Sequence, residues 1–161
     1  MPQIPALLFE QLLPRAADWA EKQEQLILNH GESRALTARE QEIARQAGVQ
    51  RPERVRILAV PEIPFPEEAD LRAAAQVVGL TTRGIAGLTV GHGIFVRQDL
   101  ANDAKLIAHE LRHVAQYERH GSILAFLQRY LFEVNEFRYP ETPMEQDAVA
   151  FAETIFQIYD R

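Results

Sequence analysis

There is not one cysteine among the 161 residues of this chain. That absence removes a disulfide framework, a thiolate zinc site and a cysteine nucleophile together, and leaves the chain indifferent to the redox state of its surroundings. Positive charge is also short, with 17 Lys and Arg against 23 Asp and Glu and a net charge of -6. With a pI of about 5.4, the electrostatic footprint of a nucleic-acid binder is missing, and such a surface mainly favours solubility. No apolar run approaches the ~20 residues needed to cross a bilayer. The N-terminus, MPQIPALLFEQLLPR, has no basic segment ahead of its apolar stretch, which Glu10 and Gln11 interrupt, so it does not read as a signal peptide. Internal repeats and low-complexity tracts are absent too. With 47% apolar and 25% charged residues, the expectation is a soluble globular protein of the cytoplasm, with no nucleic-acid partner and no membrane span.

The length suits one domain with a real core. Residues 1–50 read as a helical cover and residues 54–161 as the core proper. Leu7, Leu8, Leu12, Trp19, Leu26 and Leu28 recur at helical spacing, with Pro14 expected to divide or start a helix and His30-Gly31 to end it. Thr37 and Glu40 stand at capping-box spacing ahead of a short helix that Gly48 stops. RVRILAV, residues 54–60, is β-branched enough for a strand, and Pro61, Pro64 and Pro66 force an extended connection. Pro66, Glu67, Glu68 and Asp70 announce a helix that Gly79 terminates. TTRGIAGLTVGHGIFVR, residues 81–97, alternates apolar residues with glycines and predicts a hairpin or an irregular edge strand.

Three helices follow. Asn102 or Asp103 caps the first, which Gly121 ends, and Ser122 caps a second through about Glu133 with Leu124, Leu127 and Leu131 on one side. Thr142, Pro143 and Glu145 open the last, running to about Tyr159 with Ala148, Val149, Ala152, Ile155, Phe156 and Tyr159 turned inward. The fold class these elements predict is α+β, mostly helical, with a small sheet or hairpin.

The first of those helices reads LIAHELRHVAQYERHG, residues 106–121, and contains H-E-x-x-H as His109, Glu110 and His113. Residues four apart sit one above the other on a helix, so two imidazoles at that spacing can converge on one metal ion, while Glu110 can reach a water bound to it. Chance would place this pattern in only about one or two chains in a hundred of this composition. The bland alternative is two histidines that merely hydrogen-bond to neighbours. Against it, Leu106, Ile107, Ala108, Val114 and Ala115 bury the helix on most sides, and buried imidazoles need partners that a dication supplies.

A catalytic zinc takes three protein ligands and water. The metzincin extension fails here, because position 116 is Gln and position 119 is Arg. His120 lies about two turns beyond His113 and is expected at the rim. The carboxylates left are Glu133, Glu136, Glu141, Glu145 and Asp147. Glu145 opens a helix whose Ala148 and Ala152 permit close approach to the motif helix, yet a capping box with Thr142 explains Glu145 as well as a metal does.

HELRH followed, after an intervening helix, by EQDAVAFAE resembles the gluzincin metallopeptidases, in which H-E-x-x-H is completed by a Glu that opens an E-x-x-A helix. More narrowly, residues 88–153 resemble short bacterial zincin-like domains. The resemblance implies a zincin-like catalytic domain with Zn2+ held by His109, His113 and Glu145, with Glu110 as general base. Many membrane-associated gluzincins carry Asp four residues after the ligand Glu, where this chain has Val149, so Asp147 or a backbone carbonyl is expected to orient the imidazoles.

The function expected is a zinc metallopeptidase acting on a peptide or protein, in which Glu110 takes a proton from a zinc-activated water and returns it to the leaving amine. Donors for the developing oxyanion are sought among His92, Tyr117, His120 and Tyr139. An extended substrate is expected to add to the glycine-rich strand of residues 87–96. The rival expectations are a non-catalytic module stapled by zinc, and a hydrolase of non-peptide amides.

Overall fold

The computed structural model describes residues 3–81 and 84–159, without the side chains of residues 158 and 159, so the inward face expected of Tyr159 lies outside the described residues. The architecture is α+β. Helix α1 (Ala6–Asn29) is followed by the two-residue strand β1 (Arg34–Ala35), α2 (Ala38–Ala47), β2 (Arg56–Val60) and α3 (Ala69–Val77). A hairpin of β3 (Gly87–Val90) and β4 (Gly93–Arg97) leads to α4 (Ala104–His120), α5 (Ile123–Phe137) and α6 (Pro143–Tyr159).

The sheet runs β1-β2-β4-β3. β2 and β4 are parallel with Ile57 opposite Ile94, while β3 is antiparallel to β4 and stands at the edge. The expected edge character therefore belongs to β3 only. β4 is interior, and Gly93 through Val96 are all buried, because helices cover both faces of the sheet. Alternation sends Ile57, Ile94 and Val96 into one cluster with α2, α4 and α6, and Leu58 and Phe95 into another with α1. Between β3 and β4, Gly91 takes φ 64°, and a Cβ there would run into the Glu24 carboxylate.

Pro14 neither starts nor divides a helix but sits exposed inside α1. An interior proline costs about 3 kcal/mol, which the burial of Leu12, Ala17, Ala20 and Ile27 on one stripe offsets. That stripe departs from the expected one, since Leu7, Leu8 and Leu26 face solvent. The alanines let α1 approach the sheet closely, which leucines would not. The Thr37–Glu40 capping box and the left-handed Gly48 are both present around α2.

α6 lies along α4 through Ala148 and Ala152, 0% and 2% exposed, as their small side chains predict. Val149 and Phe156 on the same helix are exposed instead of inward. α5 extends four residues past Glu133 because that residue turns inward: Arg129 donates to its Oε2 at 2.9 Å, and the Met144 N–H at the start of α6 donates to its Oε1 at 2.9 Å. Ile123, Phe126 and Val134 form the buried face of α5, and Leu124 is exposed. Among the described residues no helix is long and apolar enough to cross a membrane.

Candidate metal centre

Helix α4 is fastened at both ends. The Asp103 carboxylate accepts the Leu106 N–H at 3.0 Å, and Gly121, at φ 84°, closes the helix in the left-handed region. Ile107, Ala108, Leu111, Val114 and Ala115 face the core, so truncating the fully buried Leu111 to alanine costs about 2–5 kcal/mol. This leaves His109, Glu110 and His113 on the remaining side, toward α5, α6 and β3.

His109, His113 and Glu145 converge there. Nε2 of His109 is 3.0 Å from Glu145 Oε2, Nε2 of His113 is 3.1 Å from Glu145 Oε1, and the two Nε2 atoms are 3.1 Å apart. In a tetrahedral site with ligands ~2.0–2.1 Å from zinc, neighbouring donors stand ~3.3 Å apart, so this triangle fits a small dication after movements of a few tenths of an ångström. While each imidazole donates to its own carboxylate oxygen, the two Nε2 atoms 3.1 Å apart have nothing to offer one another. A cation at their centre satisfies all three. Of the five carboxylates that spacing left open, Glu133 caps α6 and Asp147 pairs with Arg112, while Glu136 and Glu141 are exposed.

The capping ambiguity at Glu145 resolves into two separate jobs. Thr142 Oγ1 does accept the Glu145 N–H at 3.1 Å, but the Glu145 carboxylate turns to the histidines and to Tyr130, whose hydroxyl donates to Oε1 at 2.8 Å. Burial pushes this carboxyl up, and the hydrogen bonds and charges of His109 and His113 outweigh burial, holding it far below the usual carboxylate range. Burial likewise pulls His113 down, but the hydrogen bond and charge of Glu145, with Glu110 and Gln116 adding, raise it from 6.5 to about 9.

Gln116 sets the tautomer of His113. Its Nε2 donates to the Met144 carbonyl at 3.0 Å and to Asp147 Oδ2 at 2.9 Å, which uses both amide hydrogens. The amide oxygen must then face His113, and accepts from Nδ1 at 2.8 Å. Nδ1 carries the proton, so Nε2 is the atom presented to the cluster. Asp147 thus acts on the imidazole through Gln116, not directly as expected, while Arg112 holds its carboxylate at 2.8 and 3.0 Å. Val149 is 39% exposed.

Glu110 is buried beside the cluster without being one of its three donors. Thr89 on β3 donates to its Oε2 at 2.7 Å. Gly87, one pleat along the same face of β3, leaves the room it occupies: a Cβ there would stand 2.7 Å from Glu110 Oε1. Neither Thr89 nor Gly87 was identified as a site residue from the sequence, where the glycine pattern was the available signal.

The rim residues divide. Tyr139 lines the same cavity as the cluster, and burial, then the negative charges of Glu145 and Glu110, push its phenol up to about 12. The phenol of Tyr130, which sequence reasoning missed, is raised well above its ordinary value by burial and by Glu145. Its signal was a phenol four residues after Phe126 on the buried face of α5. His92 is elsewhere: its ring meets Glu118 at 3.0 Å and packs edge-on to Tyr117, and its N–H donates to Glu24 at 2.7 Å. Tyr117 belongs to that group and to the core on the α1 side of the sheet. His120 is exposed and bonds the Gln116 carbonyl within its own helix at 2.8 Å.

These features define an α+β domain with two histidines and a glutamate positioned to hold a metal ion. Residues 70–121, about a third of the chain, match the family described as the eCIS core domain, a zincin-like family. The matching stretch runs from α3 to the end of α4, so it includes H-E-x-x-H and stops short of Glu145. We found no match among curated proteins or solved structures.

Proposed function

We propose that this protein is a zinc-dependent peptidase of gluzincin type, with His109, His113 and Glu145 holding the metal and Glu110 serving as general base. The observation that carries the reading is the separation of Glu110 from the three donors. A buried carboxylate held by Thr89 beside a metal cluster, yet not coordinating in it, is what proton transfer requires and what a structural site has no use for. A structural zinc is closed by four protein ligands, whereas the described residues supply three, with His109 20% exposed on the open side.

Zinc in this cluster would supply an acidified water and a Lewis acid for the substrate carbonyl. Glu110 takes the proton from the attacking water and returns it to the leaving amine. Tyr139, protonated at neutral pH and facing the same cavity, is the donor best placed for the developing oxyanion. Tyr130 and Gln116 keep Glu145 and His113 in place. Strand β3 stands at the sheet edge, and Gly87 to Val90 all line the cavity, which suits an extended peptide laid alongside it.

The test is metal content with hydrolysis. Purified protein holds about one zinc, and Glu110→Gln keeps that zinc while hydrolysis of a peptide library falls about 10²- to 10⁴-fold. Stoichiometric zinc with no cleavage of any peptide by the wild type would sink the peptidase reading.

A further inference from the structure

Helix α1 lies outside the stretch that matches the eCIS core domain, yet it builds one wall of a cavity that ends at the metal cluster. Leu13, Ala16 and Trp19 of α1 face it together with Ala74 and Leu80 from the α3 side and Phe126 from α5. The wall is anchored on both flanks. Arg15 pairs with Glu68 and Asp70 at the start of α3, while Ile4 gives its N–H to the Asn135 side chain of α5 at 2.7 Å and accepts back at 3.1 Å.

Two properties of the cavity restrict its occupant. Among the described residues, the charged side chains lining it are confined to His109, Glu110, His113 and Glu145 at the metal end. A charged group entering the remainder would lose its water without gaining a partner. The cavity, open to solvent on one side, has a volume of about 200 Å³, and an apolar void of ~150 Å³ is enough to accept a benzene ring. One aromatic or branched aliphatic side chain fits in that volume.

We propose that α1, with α3 and α5, forms a specificity pocket for the metal centre, and that the substrate amide carries a bulky uncharged apolar side chain beside the scissile bond. This rests on the peptidase reading above. Continuity of the cavity with the cluster makes substrate, rather than a second protein, the occupant.

The experiment measures affinities of zinc-loaded protein for three hydroxamates, which share a metal-binding head and an α-amino group and differ in side chain: glycine hydroxamate, phenylalanine hydroxamate and aspartate α-hydroxamate. Burial of the phenyl ring should make the second bind about tenfold to a hundredfold tighter than the first. The aspartate compound should bind no tighter than the first. Ala16→Phe and Ala74→Phe, which narrow the cavity from α1 and from α3, should each bring the phenylalanine-to-glycine ratio toward one. Equal affinities for all three in the wild type overturn the pocket and leave the metal centre standing, as does an undiminished ratio in both variants. Failure of every hydroxamate to bind overturns the zinc reading and the pocket with it.

Discussion

The Gln116 side chain accepts a hydrogen bond from Nδ1 of His113 at 2.8 Å, and its own amide is fixed by Met144 and Asp147. The imidazole is therefore oriented by a neutral amide three residues along its own helix, with the carboxylate one step further out. Gln116→Leu removes the acceptor and should weaken zinc binding about 10- to 100-fold, read by competition with a chromogenic chelator. His120→Ala, on the exposed turn beyond, should leave the affinity unchanged. Equal losses in both variants would refute the orienting role.

Proton and metal compete for His113. Its pKa in the metal-free protein is raised to about 9 from 6.5, so the pairing with Glu145 stabilises the metal-free fold fully between the ordinary carboxyl value of 4.5 and about pH 6.5, and that contribution is lost as pH rises through about 9. Zinc must displace the same proton, so apparent affinity should rise about tenfold per pH unit up to about pH 9. Titrations at several pH values check the second effect, and melting of chelator-treated protein across the same range checks the first.

Glu145 and Thr142 separate a ligand from a cap. On the zinc reading, Glu145→Ala should abolish stoichiometric zinc and leave the half-buried Tyr130 hydroxyl without its acceptor, a loss of about 1 kcal/mol in the metal-free protein. Thr142→Ala costs about 1 kcal/mol through the lost cap and keeps the metal. Metal analysis alongside urea unfolding distinguishes them, and retention of full zinc affinity by Glu145→Ala would remove it from the ligand set.

Gly87→Ala tests the seat of Glu110. The new methyl would stand 2.7 Å from Oε1 and 3.0 Å from Cδ of Glu110, so the carboxylate must move. Zinc content should hold while hydrolysis falls about 100-fold, since a displacement of about 1 Å in a reacting group costs that much. Thr89→Val, which removes the hydrogen bond without adding bulk in the same place, should give a smaller loss.

What could be read from the chain alone was local. H-E-x-x-H stacks its imidazoles because four residues make about one helical turn, and the caps at Thr37, Asp103, Ser122, Gly48 and Gly121 act within a few residues of themselves. The α+β class and the close approach of α6 to α4 through Ala148 and Ala152 followed from patterns of the same range. Burial was less legible. In α1 and α5 the leucines suggested stripes that partly face solvent, because alanines and a few large residues made the closer fit.

Tertiary structure decided whatever depended on residues distant in sequence. Thr142 and Glu145 satisfy a capping-box spacing whether or not the carboxylate turns back. Only the packing of α6 on α4, with Tyr130 arriving from α5, aims Glu145 at His109 and His113. The same holds for the parallel pairing of β2 with β4, the Thr89 contact to Glu110, and the displacement of His92 and Tyr117 to a separate cluster. The H-E-x-x-H spacing encoded half of a metal site by itself, because a helix brings i and i+4 together wherever it is placed. The other half exists only because a core of small and branched side chains brings separate helices to one depth and register.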